Sequence, residues 1–378
     1  MLPSVADMEI TPFRIDVPQA DLDDLADRLA RTRFAEELPA DAGDYGVRVD
    51  PVRELVHRWR DGFDWRAVEQ RLNEIPQFTT TIDGQLIHFL HVRSPEPDAF
   101  PLVLTHGWPG SFVEFLDVVG PLTDPRAHGG DPAQAFHVVV PSLPGFAFSG
   151  PTTEPGWNRY RTARAWAQLM AGLGYERYGA HGNDAGAFVA PELGRIAPEH
   201  VVGVHVDQIY SFPSGDPAEF AGMSEAELAE LTRLQEFSAD KLAYNELQST
   251  QPQNLAHALA DSPAGQLAWS YQLFGDAVDP DFVLTTVAIY WFTRTAASSM
   301  RFYREDRLSA AEAPQGPTTV PLALASFADD FSGIRRFAER DHHNLVSWTE
   351  FDRGGHYPAH EVPDLLVGDL RRFFGELR

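Results

Sequence analysis

Asp184 stands at the centre of Gly182-Asn183-Asp184-Ala185-Gly186, a pattern of glycine, any residue, nucleophile, any residue and glycine. Glycines at these positions allow the sharp strand-to-helix turn that exposes one side chain as a nucleophile. A carboxylate is ionised at neutral pH, so it can attack carbon without a base and form a covalent ester. Because a carboxylate leaves acyl carbon more readily than an alkoxide or an amine does, attack on saturated carbon is favoured. The pattern therefore predicts opening of an epoxide or displacement of a halide, and argues against ester or peptide hydrolysis.

The pentapeptide alone also occurs in ordinary polar loops, so residues elsewhere in the chain decide its interpretation. Arg353-Gly354-Gly355-His356 follows the last strand-like run, and a histidine after two glycines is mobile enough to reach a nucleophile as a base. Asp329 and Asp330 follow the strand-like residues 320–326, where either carboxylate could orient the imidazole. Nucleophile, acid and histidine then follow one another in the chain order of α/β-hydrolases.

A glycine-rich turn, Thr105-His106-Gly107-Trp108-Pro109-Gly110, follows the apolar residues 102–105. Such a turn at the carboxyl end of a strand can direct a backbone N–H towards a negative oxygen. We predict an oxyanion hole formed by the backbone N–H groups of Trp108 and Ala185. His106 is interpreted as a structural support of the turn.

Strand-like and helical segments alternate from residue 78 onwards, which predicts an α/β fold with a mostly parallel central sheet and helices on both faces. Residues 78–82 and 86–92 flank an Asp83-Gly84 turn and predict a β-hairpin. We assign residues 78–210 and 316–378 to this α/β-hydrolase core.

Two helical regions accompany the predicted core. Residues 1–77 form an N-terminal helical meander, in which Asp21 is well placed as the N-cap of the first helix. Residues 211–315 interrupt the core and predict a helical lid over the mouth of the sheet, ending in the proline-rich residues 313–317. Within the lid we expect helices over residues 224–237, 242–259, 265–274 and 282–303.

The composition excludes several classes of function. A formal net charge of −25 argues against binding to nucleic acids or anionic membranes, which requires clustered lysine and arginine. The absence of cysteine excludes disulfides, thiolate metal ligands and a cysteine nucleophile. No signal peptide pattern and no apolar run of about 18 residues occur. We therefore expect a cytoplasmic protein. The predicted attack of a carboxylate on carbon requires no metal or organic cofactor.

The chain resembles the microsomal-type branch of epoxide hydrolases, which also includes the juvenile-hormone epoxide hydrolases of insects. The similarity extends almost from end to end, from Pro12-Phe13-Arg14 to Phe374. It is carried by four motifs besides the elbow: Pro76-Gln77-Phe78, His106-Gly107-Trp108-Pro109-Gly110-Ser111, Pro141-Ser142-Leu143-Pro144-Gly145-Phe146 and Arg353-Gly354-Gly355-His356.

The resemblance implies a role for each candidate residue. Asp184 would be the nucleophile and His356 the base, while the stretch Phe327-Ala328-Asp329-Asp330 puts Asp330 in the role of the orienting acid. Two lid tyrosines of this family donate hydrogen bonds to the epoxide oxygen. They match Tyr303 in Arg301-Phe302-Tyr303-Arg304 and, with less local support, Tyr244 in Ala243-Tyr244-Asn245.

Two positions depart from the family pattern. Ala185 follows the nucleophile where family members usually carry tryptophan, which opens space beside Asp184. Asp330 stands where many relatives have glutamate, so its reach is shorter by one methylene. Vertebrate relatives also begin with a membrane anchor, of which this sequence gives no sign.

We read the chain as an epoxide hydrolase that converts a small-molecule epoxide to a vicinal diol. One lysine against 29 arginines is typical of a GC-rich bacterial genome, and we expect a role in secondary metabolism. A haloalkane dehalogenase is one alternative, although such enzymes hold the halide with a tryptophan where this chain has Ala185. A non-catalytic ligand-binding homologue is another, although binding alone would not require the full catalytic set. Assembly as a homodimer is left open.

Overall fold

A computed structural model of the chain describes residues 8–39, 45–313, 316–331 and 333–378. Within these ranges, nine strands form one sheet. The strands are β1 (Thr11–Phe13), β2 (Gln77–Ile82), β3 (Gln85–Val92), β4 (Phe100–Thr105), β5 (Phe136–Pro141), β6 (Tyr178–Gly182), β7 (Val201–Val206), β8 (Leu322–Ser326) and β9 (Leu345–Glu350).

The strand order across the sheet is β1-β2-β3-β5-β4-β6-β7-β8-β9. The three pairs from β1 to β5 are antiparallel, and the five pairs from β5 to β9 are parallel. The predicted mostly parallel sheet is therefore confirmed. The β2–β3 hairpin turns at Asp83 and Gly84, whose φ angles of 51° and 78° are the two positive values that a type I′ turn requires.

The described ranges contain helices on both sides of the sheet and between β7 and β8. Ser224 and Glu227 form a reciprocal capping box at the start of the first helix between β7 and β8. The helices are α1 (Gln19–Ala30), α2 (Val49–Asp61), α3 (Trp65–Leu72), α4 (Leu116–Thr123), α5 (Arg159–Gly172), α6 (Ala185–Ile196), α7 (Glu225–Asp240), α8 (Ala243–Thr250), α9 (Pro252–Asp261), α10 (Pro263–Phe274), α11 (Pro280–Thr293), α12 (Ala296–Leu308), α13 (Arg335–Asp341), α14 (Pro358–Glu361) and α15 (Pro363–Gly375).

The core lies on both faces of the sheet because successive side chains of a strand point to opposite faces. In β4, Leu102 and Leu104 pack with α4, α15 and the N-terminal helices. Val103 packs instead with α5 and α6. The apolar residues 102–104 of β4 are thus buried on both faces of the sheet, as their continuous apolar run predicts.

Helix boundaries differ from the expectation at three places. Helix α1 begins at Gln19, so Asp21 lies in its first turn and does not cap it. The helix expected over residues 242–259 is divided into α8 and α9, because the second helix starts afresh with Pro252 at its first position.

The helix expected over residues 282–303 is likewise two helices, α11 and α12. They are separated at Arg294, which adopts a left-handed conformation with a φ of 56°. The division of the chain into residues 1–77, residues 78–210 with 316–378, and residues 211–315 stays a prediction. Three parts of the predicted regions lie outside the described ranges: residues 1–7 and 40–44 of the meander, residues 314 and 315 at the proline-rich end of the lid, and residue 332 of the core.

Candidate active site

Asp184 lies in the sharp turn between β6 and α6. Its φ of 52° and ψ of −117° are unusual for a residue with a side chain. Asp184 precedes the first residue of α6, yet its side chain caps none of the helix N–H groups. The turn therefore holds the carboxylate away from the helix, free to contact groups on other elements.

Three glycines allow other segments to approach this turn closely. A Cβ atom on Gly182 would lie 2.0 Å from the carbonyl oxygen of Gly186, and one on Gly186 would lie 1.9 Å from that of Thr105. A Cβ atom on Gly107 would lie 2.0 Å from Asp184 Oδ1. Each distance is far too short for any side chain, so the close contact depends on glycine at all three positions.

Trp108 follows Gly107 and contributes a backbone donor to the site. Its N–H donates a hydrogen bond of 2.9 Å to Asp184 Oδ1. His106 connects the turn to a neighbouring loop through two hydrogen bonds. Its Nε2 accepts from the Leu143 N–H at 3.2 Å, so the ring proton is on Nδ1. Nδ1 then donates to the Gly107 carbonyl oxygen at 3.0 Å. The Ala185 amide, the other predicted oxyanion donor, is the first of α6 and lies beside the same turn.

His356 lies between the carboxylates of Asp184 and Asp330. Its Nε2 lies 3.5 Å from Asp184 Oδ2, and its Nδ1 lies 2.9 Å from Asp330 Oδ1. The neighbouring Asp329 is exposed, and its backbone N–H donates to the Gly354 carbonyl oxygen at 3.0 Å. Of the two acids that the sequence left open, the structure brings Asp330 to the imidazole.

The charges of this trio shift one another's protonation. Burial alone would lower the pKa of His356, but the Asp330 and Asp184 carboxylates outweigh it and raise that pKa well above its ordinary value. Burial would raise the pKa of Asp330, yet the charge of His356 and hydrogen bonds from His356 and Gln208 hold it below its ordinary value. The free site therefore pairs an imidazolium with carboxylates at neutral pH.

Tyr244 in α8 and Tyr303 in α12 meet above Trp108. The Trp108 ring stacks on Tyr244 with centroids 5.6 Å apart and planes at 15°, and it meets Tyr303 edge-on at 6.1 Å. The two phenol rings are themselves 6.1 Å apart. Burial, and then the charge of Asp184, raises the pKa of each phenol. Both tyrosines therefore keep their protons at neutral pH, beside the turn whose N–H contacts the elbow carboxylate.

Two buried amides, Asn183 and Gln208, connect the site residues from below, and the sequence interpretation missed both. Gln208 Oε1 accepts from the Asp184 N–H at 2.8 Å, while Gln208 Nε2 donates to Asn183 Oδ1 at 2.7 Å and to Asp330 Oδ2. Asn183 Nδ2 donates to the His356 carbonyl oxygen at 2.9 Å. The available signal for Gln208 was a polar residue just beyond the end of a buried parallel strand, two residues after Val206, since such positions line sites at the carboxyl edge of a sheet.

Comparison with other proteins identifies two matching families and several similar sequences. The family described as "Epoxide hydrolase N terminus" matches residues 10–115, and the one described as "alpha/beta hydrolase fold" matches residues 101–311. A Stigmatella aurantiaca protein provisionally named an epoxide hydrolase is 43% identical over 380 residues, covering 98% of this chain and 86% of that protein. Epoxide hydrolase 1 of Sus scrofa is 31% identical over 407 residues, covering 98% and 90%. This chain belongs to the epoxide hydrolase family.

Solved structures of epoxide hydrolases share its fold over the whole chain. The Aspergillus niger enzyme has a TM-score of 0.86 at 32% identity, with 100% of this chain and 99% of that chain covered. The juvenile hormone epoxide hydrolase of the silkworm Bombyx mori has a TM-score of 0.89 at 26% identity, with 98% and 95% covered. These likenesses confirm the α/β-hydrolase fold and the resemblance expected from the sequence motifs. Across the ranges that the structure describes, no helix combines the length and apolarity needed to cross a membrane.

Glu114 is a second feature of this epoxide hydrolase that sequence reasoning missed. Its Oε1 accepts from Asn183 Nδ2 at 3.2 Å, while its Oε2 has no hydrogen-bond partner among the described residues. Burial raises the pKa of Glu114 well above its ordinary value, which favours the neutral acid over the carboxylate. This shift disfavours a further negative charge close to Asp184.

One group of residues within the described ranges has the composition of a metal site. His181, His205 and Asp207 are buried and offer ligand atoms within 4.8 Å of one another. However, His181 faces two partners, with Nδ1 3.0 Å from His205 Nδ1 and Nε2 3.4 Å from Asp207 Oδ2. His205 Nε2 in turn lies 3.0 Å from Asp369 Oδ2. The His181–His205 and His205–Asp369 contacts are hydrogen bonds and engage both nitrogens of His205, so neither is left to bind a metal ion. His181 Nε2 and the two Asp207 carboxylate oxygens have no hydrogen-bond partner among the described residues.

Proposed function

We propose that this epoxide hydrolase converts an epoxide to a vicinal diol through a covalent ester on Asp184. The observation that carries the proposal is the environment of one carboxylate. Its Oδ1 is held by the Trp108 N–H at 2.9 Å, and its Oδ2 faces the His356 imidazole at 3.5 Å. A carboxylate held in this way is a nucleophile, and the imidazole beside it can serve as a base once the ester has formed.

In the first half-reaction, an Asp184 oxygen attacks a carbon of the oxirane ring and the carbon–oxygen bond of the ring breaks. The departing oxygen would leave as an alkoxide, so it needs a proton. Tyr303 and Tyr244 supply hydrogen bonds and one of them supplies that proton, since both phenols are protonated at neutral pH. The resulting tyrosinate regains its proton from solvent, which leaves a hydroxyalkyl ester.

In the second half-reaction, His356 removes a proton from water, and the hydroxide attacks the carbonyl carbon of the ester. Esterification has removed the charge of Asp184, so His356 has lost one of the two carboxylates that favour its protonated form, and it releases its proton to solvent before it acts as the base. The Trp108 and Ala185 N–H groups stabilise the tetrahedral oxyanion. Its collapse passes the remaining proton of the attacking water to the departing oxygen and releases the diol and the Asp184 carboxylate, while His356 keeps the proton it took from water and is again the imidazolium of the free site.

Two alternatives make different demands on the same residues. A haloalkane dehalogenase typically binds the halide with the side chain of a tryptophan directly after the nucleophile, and the side chain of Ala185 has no hydrogen-bond donor. A ligand-binding homologue needs no base within reach of a nucleophile. Family membership and the two protonated lid tyrosines both favour epoxide opening over these alternatives.

We further propose a cytoplasmic enzyme of bacterial secondary metabolism that acts on a small-molecule epoxide. The support is compositional: a net charge of −25, no cysteine, and one lysine against 29 arginines. The space beside the nucleophile at Ala185 supports a substrate different from those of relatives with tryptophan there. A homodimer remains a proposal that sedimentation velocity would decide.

Reaction with a labelled epoxide tests the proposed function. We expect a transient protein adduct on the peptide that contains Asp184, followed by release of a vicinal diol. Aryl and aliphatic epoxides should be compared, with chiral analysis of the diols. Release of halide from a haloalkane would favour the dehalogenase, and saturable binding without any adduct or diol would favour the ligand-binding homologue.

A further inference from the structure

Asn183 and Gln208 together touch all three members of the proposed catalytic trio. Asn183 is 2% exposed and Gln208 is fully buried, and the two amides bond each other at 2.7 Å. Gln208 binds the backbone N–H of Asp184 and a carboxylate oxygen of Asp330. Asn183 binds the backbone carbonyl of His356. The pair therefore joins the elbow, the acid and the histidine loop at one point.

The hydrogen bonds leave only one orientation for the Gln208 amide. The Asp184 N–H can only donate, so it must face Oε1, at 2.8 Å. The ionised Asp330 carboxylate can only accept, so it must face Nε2. A flipped amide would bring two donors together at one end and two acceptors at the other. Gln208 thus occupies Asp330 Oδ2 and leaves Oδ1 to His356.

We propose that the Asn183–Gln208 pair positions His356 and Asp330 for ester hydrolysis. We also propose that the pair limits how strongly the charge of Asp330 stabilises the protonated form of His356. The inference rests on the proposed function, in which His356 must be neutral to activate water. A hydrogen bond from Gln208 satisfies part of the negative charge of Asp330. Without it, that charge would act more fully on the imidazole, and a histidine that holds its proton more tightly is a base only at higher pH.

The substitution Gln208→Met removes both the donor and the acceptor while keeping a side chain of similar length. We expect hydrolysis of the Asp184 ester to slow at neutral pH, and the acid limb of its pH profile to move upward by about one pH unit. This size follows because a hydrogen bond to a charged group is worth roughly one tenfold step in a protonation equilibrium. Ester formation should change less, since His356 does not act in that step. Single-turnover kinetics with a labelled epoxide separate the two steps.

Two further variants serve as controls. Gln85 is also a buried glutamine on a strand, and its amide bonds the Ser149 carbonyl outside the site. Gln85→Met should therefore leave the acid limb in place even where it lowers stability. Asn183→Ala frees the His356 carbonyl but leaves Gln208 beside Asp330, so hydrolysis should slow with a smaller shift of the limb.

The outcomes distinguish the inference from the function on which it rests. If the parent protein forms no ester with any epoxide, the proposed function fails before the variants are compared. If the parent forms the ester and Gln208→Met slows both steps equally with an unmoved limb, the amide pair only packs and the inference is overturned. Should Gln208→Met not fold, Asn183→Ala decides: slower hydrolysis with unchanged ester formation supports the inference, and equal slowing of both steps overturns it.

Discussion

The Trp108 N–H already binds Asp184 Oδ1, at 2.9 Å, in the free protein. The donor that would stabilise an oxyanion thus holds one oxygen of the nucleophile before any substrate arrives. Oδ2, which faces His356, is left as the attacking oxygen. When the ester forms, Oδ1 becomes its carbonyl oxygen and remains against the same N–H. During hydrolysis, negative charge therefore develops on Oδ1, which the Trp108 N–H already contacts, so neither group has to move in the transition state.

Replacement of Asp184 by alanine should abolish diol formation and leave the protein folded, because the nucleophile is lost. In the parent, a single turnover in heavy-oxygen water should place an oxygen from the protein, not from solvent, in the first diol. Mass spectrometry of the diol and of the Asp184 peptide measures both. Solvent label in that first diol would mean direct attack by water and would rule out the ester.

Replacement of His356 by glutamine should separate the two half-reactions. Asp184 needs no base to attack, so the ester should still form, but no group would then activate water. We expect a stable adduct, heavier than the protein by one substrate in intact mass spectrometry. A variant that turns over normally, or that folds and never forms the adduct, would contradict the role of His356 as the water-activating base.

The lid tyrosines should control ester formation and not ester hydrolysis. Losing one donor from a water-poor site raises a barrier by about 3 kcal/mol, or roughly a hundredfold in rate. Tyr303→Phe should slow ester formation by about that factor, and the double change with Tyr244→Phe should nearly eliminate it. Rapid-quench measurement of the adduct tests this. Ester formation at the parent rate would show that Tyr303 is only a packing residue.

The pairing of His356 with Asp330 should make stability depend on pH. The raised pKa of His356 contributes stability that is fully present below about pH 6.5 and is lost as the pH rises through the pKa of His356 in the folded protein. The lowered pKa of Asp330 contributes stability that is present above about pH 4 and is lost as the pH falls through the pKa of Asp330 in the folded protein. Asp330→Asn should therefore cost most between these limits, by about 3 kcal/mol for a broken buried pair. The free energy of unfolding that Asp330→Asn removes should be smaller at pH 9.

Urea unfolding at pH 5.5 and pH 9 measures this difference. Asp329→Asn is the matched control, since Asp329 is the exposed neighbour of Asp330 and should change stability little at either pH. An equal loss from Asp330→Asn at both pH values would mean that the pair contributes through packing and not through charge.

Features with a local signal could be predicted from the sequence. The glycines around Asp184, the Asp83-Gly84 turn and the apolar runs of β4 and β5 each report a backbone requirement within a few residues. Motif resemblance then selected Asp330 over Asp329, which local reasoning could not separate. Pro252 was visible as a helix start and was overlooked, whereas the left-handed Arg294 carries no sequence signal and depends on how α11 and α12 pack.

Gln208 lay beyond such reasoning because its importance comes from strand register. Gly182, just before the elbow, pairs with Val206 of β7. This register carries Gln208, two residues after Val206, to the backbone of Asp184. A single sequence shows that a polar residue follows a buried strand, but not which strand lies next to it. The same limit applies to Glu114, whose partner Asn183 is distant along the chain.

The positive φ of Asp184 lowers the stability of this protein at the residue on which its activity depends. A residue with a side chain held in such a conformation costs on the order of 1–3 kcal/mol, most of which glycine would recover. Asp184→Gly should therefore unfold at a higher urea concentration than Asp184→Ala, although both lack the carboxylate. Screening of random variants for heat resistance alone would favour the loss of this aspartate, so any engineering for robustness must also select for diol formation.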